Sequence, residues 1–340
     1  MKAFTLKQFG SSDKAFELRE TAIPNPKANE VLVKVQAFGL NFADVMARQG
    51  LYRDAPPLPC VLGYEVVGHI TEIGSDVKHL SVGQRVVALT RFGGYAEYAV
   101  TDAKAAVVIP ETMENGVAAA IATQYGTAYY CAYEMAPLFP GNHVLIQAAA
   151  GGVGTALVQM AKNRGCIVYG TAGSEEKLNY LKELGVDHPI NYNKTDFFEY
   201  VKKHRGEAGL DVIFDSLGGK AVKQGMKLLG SGGRIVCYGA ASRSGKSKGI
   251  FNDIPLALGF GFYSPIPFLM NSRGLIGVNM LKLADNRPDT LQRCLTNVAD
   301  MIVKGELTPH VGGIFPHTEL AKAHDFLGGR GSVGKVVVNW

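Results

Sequence analysis

His143-Val144-Leu145-Ile146-Gln147-Ala148-Ala149-Ala150-Gly151-Gly152-Val153-Gly154 is an apolar strand running into a glycine turn. An amphipathic run follows from Thr155 to Lys162, with Leu157, Val158, Met160 and Ala161 on its apolar face. Strand, glycine turn and helix start together make a phosphate cradle. The first helical N–H groups have no partner within the helix, and the helix dipole attracts negative charge. Gly151 lets the backbone approach a pyrophosphate, and Gly154 lets the helix pack close to the strand. Ala149 stands where the first glycine of G-x-G-x-x-G is usual. A tight turn alone can explain glycines, but a strand before and a helix after predict a dinucleotide held by Ala150, Gly151, Gly152, Val153 and Gly154.

The next strand, Cys166 to Ala172, bears on which dinucleotide. An acid near its end would bind a ribose 2′-hydroxyl, and Ala172 occupies about that place. Thr171 lies beside it, and Ser174 and Lys177 follow. A 2′-phosphate needs hydrogen-bond donors and a cation, which Ser174 and Lys177 offer. Glu175 and Glu176, a few residues later, are competing acids for a 2′-hydroxyl; they also suit the first turn of a helix with Ser174 as its N-cap. The phosphate and N-cap readings are compatible, and together they predict NADPH over NADH.

Strands and helices then alternate. Helices are predicted over Leu178–Leu184 and Asp196–Lys203, with extended segments at His188–Tyr192, Leu210–Asp215, Gly233–Gly239 and Gly274–Val278. This alternation predicts a doubly wound parallel α/β sheet, with ligand beyond the carboxyl ends of its strands. Ser174, Tyr192, Leu217, Tyr238 and Val278 fall on that side. The first third differs: Val31–Ala37, Gly68–Gly74, Gln84–Leu89 and Gly93–Val100 read as short strands between turns, a curled β domain. Helices at Thr290–Lys304 and Glu319–Leu327 and a strand at Lys335–Val338 end the chain, the strand closing back onto the first domain.

With these segments, Gly39-Leu40-Asn41-Phe42-Ala43-Asp44, Arg48-Gln49-Gly50-Leu51-Tyr52, Pro59 to Gly68 and Gly126-Thr127-Ala128-Tyr129 give the chain a resemblance along its whole length. It resembles the zinc-independent quinone oxidoreductases, the zeta-crystallin-like group of the medium-chain dehydrogenase/reductase superfamily. Gly50-Leu51-Tyr52, Pro56-Pro57-Leu58-Pro59 and Val333 to Val336 are similar to the branch of synaptic-vesicle membrane protein homologues. The resemblance implies a GroES-like, partly open β-barrel over 1–123 completed by 282–340, and a Rossmann domain over 124–281. It implies Asn41 and Tyr52 near the hydride acceptor, Thr127 near the nicotinamide, and a homodimer. Tyr52 suits either a proton donor or an aromatic wall. Asn41 also suits a plain turn. Glu65 is expected to anchor structure as a buried carboxylate, hydrogen-bonded or paired with a cation such as Arg85.

No metal site is expected. Zinc-dependent relatives carry a cysteine at Asn41, a histidine at Tyr64 and a four-cysteine lobe, and Arg91 to Val100 contains no cysteine. Cys60, Cys131, Cys166, Cys237 and Cys294 form no C-x-x-C pair and read as small hydrophobes in a reducing compartment. His310, His317 and His324 recur every seven residues, but Pro309 and Pro316 break the helix that spacing would need.

Ile254 to Asn271 has no charge, and Pro255, Pro265 and Pro267 argue against a spanning helix. It reads as an apolar cover or subunit contact; the other reading is peripheral membrane contact helped by Arg243, Lys246 and Lys248. The 340 residues suit two domains. A net charge of +5 without a basic stripe gives no specific nucleic-acid site. Met1 leads straight into a strand, so a cytoplasmic protein without a signal peptide is expected. Two functions remain: an NADPH-dependent, metal-independent reductase of quinones or α,β-unsaturated carbonyls, or a catalytically weak cofactor-binding protein with a lipid-binding or regulatory role.

Overall fold

Apolar Val33, Val35 and Ala37 are buried while Lys34 and Gln36 between them are exposed, so this stretch is a strand with one face on a core. In the computed structural model, which describes residues 1–243 and 258–340, it belongs to an eleven-residue strand. The opening strands are β1 (Lys2–Leu6), β2 (Phe16–Glu20), β3 (Glu30–Leu40), β4 (Cys60–Val61), β5 (Glu65–Ile73), β6 (Arg85–Leu89), β7 (Tyr98–Asp102) and β8 (Ala106–Val108). β3 is the spine, antiparallel to both β5 and β7, and register shifts after Leu32 and Val35 break its pairing with β5. Such shifts bend a strand and help a sheet curl.

The strand expected from Gly93 begins only at Tyr98. Gly93 has φ +88°, and Ala96 makes only an isolated bridge to Ala3. Tyr95 is fully buried against Phe38 instead, so core packing overrides the alternating pattern there.

The middle of the chain supplies β9 (His143–Ile146), β10 (Ile167–Ala172), β11 (His188–Asn191), β12 (Leu210–Asp215), β13 (Leu229–Cys237) and β14 (Gly274–Gly277). They pair in the order β11-β10-β9-β12-β13-β14, every pair parallel. Val144, Leu145, Ile146, Val212, Ile213 and Phe214 are all buried, as central strands covered on both faces must be. The order reverses between β9 and β12, which opens a crevice at the carboxyl ends of the strands.

The chain then returns with β15 (Val311–Pro316), parallel to β16 (Lys335–Asn339), and β16 lies antiparallel to β3. Two units result. Met1–Gly126 with Met280–Trp340 is the curled β unit, and Thr127–Asn279 is the parallel-sheet unit. The expected α/β architecture, a doubly wound sheet plus a GroES-like domain, is what the chain adopts. Asn115 to Met135 is helical throughout and widens at Ile121–Tyr125 and Tyr130–Met135, which the sequence pattern did not announce.

The glycine turn depends on a close approach. A Cβ on Gly154 would sit 2.4 Å from the Ala148 carbonyl oxygen and 2.7 Å from the Ala149 Cα. Gly154→Ala is expected to destabilise the parallel-sheet unit by about 1–3 kcal/mol, the cost of overpacking. Urea unfolding measures it, and an unchanged midpoint would show that the turn relaxes freely.

Candidate functional site

In the β unit the site is built at the end of β3. Val336 on β16 pairs with Leu40 on β3, which brings Lys335 beside Asn41. Lys335 is fully buried and so is Glu65, the first residue of β5. Lys335 Nζ donates to Glu65 Oε1, to Asn41 Oδ1 at 3.1 Å and to the Leu40 carbonyl at 3.3 Å. Asn41 Nδ2 donates to the same Glu65 Oε1 at 2.8 Å. Glu65 Oε2 accepts the Thr123 amide at 2.8 Å. Gly39 makes the room, because a Cβ there would collide with Lys335 Cε at 2.3 Å and Glu65 Oε1 at 2.5 Å.

Glu65 is buried, hydrogen-bonded and paired with a cation as expected, but the cation is Lys335 rather than the suggested Arg85. Arg85 donates instead to Gln36, Asn115 and the carbonyls of Pro110, Glu111 and Met113. Lys335 lies 270 residues from Glu65, a separation that no local pattern encodes.

Asn41 is also the N-cap of the helix Phe42–Arg48. Its backbone N–H donates to Asp44 Oδ2 at 2.9 Å. Asp44 is fully buried, and Oδ1 has no hydrogen-bond partner. Burial pushes its carboxyl up to about 7, opposed by the Asn41 amide and the Lys335 charge and reinforced by Glu65. Tyr95 is its other polar neighbour. Tyr52 is half-buried, with its ring edge-on to Tyr64 at 5.9 Å, and Tyr64 packs on Phe92 at 5.3 Å. Burial first, then Asp54, raises the Tyr52 phenol above the ordinary tyrosine range. His324, the last of the seven-spaced histidines, is packed against Phe16 and Tyr95 and held neutral by burial, near 3.

In the parallel-sheet unit, Gly151 is the N-cap of the helix Gly152–Asn163. The Gly151 and Thr155 amides are spent inside the turn, on Ala148 and Gly151 carbonyls. Those of Gly152, Val153 and Gly154 lie in the first turn, ahead of the helix's own ladder. Ala150 is buried just before them. Thr171 braces the turn from β10: its hydroxyl donates to Gln147 at 2.8 Å and accepts the Ala148 amide at 3.1 Å. Ala148 itself holds φ +50°, rare for a residue with a Cβ.

Ser174, Tyr192, Leu217, Tyr238 and Val278 follow the carboxyl ends of β10, β11, β12, β13 and β14. Ser174 caps the helix Glu175–Glu183, accepting the Lys177 amide at 3.3 Å. Glu175 is tied to Lys194 and Asn191. The Tyr192 phenol lies over Gly173, where a Cβ would meet its oxygen at 2.4 Å. Buried Asp215 ends β12; burial raises its carboxyl to about 6, and Oδ1 accepts the Gly218 amide. Thr127 is buried in the first helical turn of this unit. Sequence reasoning gave no role to Asp44, Lys335, Gly39 or Gly173. A lysine opening the apolar run Val336-Val337-Val338, and an acid three residues after Asn41, were the available signals.

Among the described residues no group of three His, Cys, Asp or Glu could hold a metal ion. The residues do suit a dinucleotide: a strand–glycine turn–helix, first-turn amides ahead of the ladder, and polar groups beyond the strand ends.

Asp44 sets a pH dependence. The folded chain keeps its carboxyl protonated up to about 7, whereas an unfolded chain ionises it near about 3.9. Between those values the folded state holds the extra proton, so the Asp44 contribution to stability falls as pH rises through that window. Asp44→Asn, a neutral mimic, is expected to flatten this slope in urea titrations from pH 4 to 8. An unaltered slope would place the Asp44 proton elsewhere.

Comparison with known proteins fits this geometry. The alcohol dehydrogenase GroES-like domain model matches residues 27–111, and the zinc-binding dehydrogenase model matches residues 152–294. The human synaptic vesicle membrane protein VAT-1 homolog is 33% identical, over 99% of this chain and 86% of its own. Pig quinone oxidoreductase is 32% identical, over 99% and 97%. The structure of Escherichia coli quinone oxidoreductase complexed with NADPH superposes with a TM-score of 0.86 at 26% identity, covering 100% of both chains. The chain belongs to the medium-chain dehydrogenase/reductase superfamily and is an oxidoreductase related to the quinone oxidoreductases and VAT-1 homologues.

Proposed function

We propose that the protein is an NADPH-dependent, metal-independent reductase of quinones or α,β-unsaturated carbonyls. The observation that carries this reading is the neutral donor at Asn41, held where the resemblance puts a metal-ligating cysteine in zinc enzymes. NADPH, when bound, supplies the hydride. The first-turn amides of Gly152, Val153 and Gly154 take the pyrophosphate, with Ala150 behind them. Ser174, Lys177 and Tyr192 take the 2′-phosphate, since Ala172 offers no acid to a 2′-hydroxyl. Leu217, Tyr238 and Val278 line the carboxyl edge of the sheet, and Thr127 orients the nicotinamide.

Asn41 and Tyr52 belong to the acceptor. Negative charge develops on its carbonyl oxygen, and a preorganised N–H stabilises it. A phenol made less acidic by burial and by Asp54 serves better as a wall than as a proton donor, so Tyr52 is assigned the wall and solvent the protonation. A quinone or enone spreads the incoming charge, so modest donors suffice. An alcohol–ketone pair would need a Lewis acid such as zinc.

Purified protein with NADPH or NADH and a panel of quinones and enones, followed at the nicotinamide absorbance, tests this. NADPH is expected to bind far more tightly than NADH, and Lys177→Ala to weaken NADPH by about 1.5–3 kcal/mol. Chelation leaves turnover intact, and Tyr52→Phe lowers kcat/KM by roughly tenfold or less. Equal affinity for the two cofactors, or turnover lost on chelation, overturns the assignment.

We also propose a homodimer in the cytoplasm. Among the described residues β14 is an edge strand, and the helix before it, Pro265–Asn271, exposes Ile266, Leu269 (85%) and Met270 (78%). An apolar surface beside an open sheet edge suits a subunit contact. Residues 244–257, including Lys246, Lys248 and the start of the uncharged stretch, lie outside the described residues. No described helix is long and apolar enough to cross a membrane. All five cysteines are unpaired, in keeping with a reducing compartment. Light scattering is expected to give twice the chain mass, and Leu269→Asp with Met270→Asp to give the monomer. A wild-type monomer that pellets with anionic vesicles would favour the lipid-binding alternative.

A further inference from the structure

The Asn41 side chain is held from both sides by groups of opposite kind. Lys335 Nζ has only donors to offer and meets the amide oxygen at 3.1 Å. Glu65, paired with Lys335 as a carboxylate, has only acceptors to offer and meets the amide nitrogen at 2.8 Å. A flipped amide would face NH2 against an ammonium and oxygen against a carboxylate. The orientation is therefore fixed by electrostatics as well as by packing. One Nδ2 hydrogen goes to Glu65, and no described residue accepts the second. Gly39 completes the arrangement, since any Cβ there would displace both clamping groups.

We propose that Lys335 and Glu65 are positioning residues for hydride transfer: they clamp the Asn41 amide so that its second Nδ2–H is the donor to the acceptor's carbonyl oxygen. This rests on the reductase reading above. Neither residue touches the acceptor in this scheme. Lys335 acts through the oxygen of the amide, and Glu65 through its nitrogen. The interaction strengthens as charge develops on the acceptor, so loss of the clamp lowers kcat rather than cofactor affinity.

The test is a double-mutant cycle on the full chain with NADPH and a quinone that wild type turns over. Asn41→Ala and Lys335→Met are each expected to lower kcat about tenfold or more, toward the range for one lost oxyanion donor. The KM for NADPH and its Kd, from quenching of protein fluorescence, should stay within about twofold, since the first-turn amides still hold the cofactor. The double variant should be no slower than Asn41→Ala alone, because residues that act through one another are not additive. A merely structural lysine would cost stability and multiply with Asn41→Ala instead. If Lys335→Met does not fold, Glu65→Gln runs the same cycle, since it removes the carboxylate charge that, with the Lys335 ammonium, forbids the flipped amide.

A second readout needs no turnover. With 15N-asparagine labelling, the Asn41 side-chain amide, assigned by its absence in Asn41→Ala, should show two well-separated proton signals, one bonded to carboxylate. They should converge in the clamp variant. Multiplicative rate losses, full kcat in Lys335→Met, or an amide signal indifferent to the clamp overturns this proposal. Absence of any quinone or enone reduction by wild type overturns the reductase reading, and the donor role with it; an intact clamp signal then separates the two failures.

Discussion

Everything at the end of β3 depends on one buried ion pair, Lys335 with Glu65. Moving two charges out of water costs several kcal/mol each, and their attraction offsets this only when the remaining hydrogen-bonding capacity is used. Here it is used. The Lys335 donors find Glu65, Asn41 and the Leu40 carbonyl, and both Glu65 oxygens are occupied, one of them by the Thr123 amide. The pair joins β16 to β3 and β5, so the last strand of the chain fixes a side chain near its beginning. Asp44, its carboxyl pushed up to about 7 by burial, adds no charge to the cluster well below neutral pH.

The parallel-sheet unit shows the same economy in its glycine turn. The amides of Ala148 and Ala149 are bound to Thr171, and that of Gly151 to Ala148. Only after these are committed does the helix present its first-turn N–H groups. Gly154 is glycine because the backbone of Ala148 and Ala149 occupies the space of a side chain. At Gly151 a Cβ meets only the Ala148 oxygen, at 3.3 Å, and φ is an ordinary −76°. Packing alone demands glycine there much less strongly. Close approach of the pyrophosphate proposed above is the stronger reason for glycine there.

Local signals made the parallel-sheet unit legible from the residues. Leu210–Asp215 is a strand with the expected ends, and the helix after the glycine turn starts three residues earlier than its apolar face suggests, because Gly152 to Gly154 are already helical. Period and turn chemistry are short-range properties, so they survive in the sequence. The β unit was harder. Its strands pair across long separations; within the parallel-sheet unit, too, β13 reaches back to Leu229 through glycines that look like turn residues. Most of the site at Asn41 was legible only as a position. Its clamp joins residues 41, 65 and 335, and its orientation depends on which cation Glu65 meets. Arg85 and Lys335 are equivalent candidates by charge; the antiparallel pairing of β16 with β3 decides between them.

The neutrality of the clamp has a chemical consequence. A zinc ion holds charge at the acceptor oxygen before the reaction begins, and so serves an alkoxide. A clamped amide offers an oriented dipole whose value grows as charge appears. That suits an acceptor able to delocalise the incoming electrons through a conjugated system, because the oxygen then carries only part of the charge. It suits an isolated alkoxide less well, since the full charge would face one N–H and, above about pH 7, the nearby Asp44 carboxylate, while the Glu65 and Lys335 charges offset each other. Under the proposed reaction, the electrostatics at Asn41 thus bear on the class of carbonyl independently of the shape of any pocket.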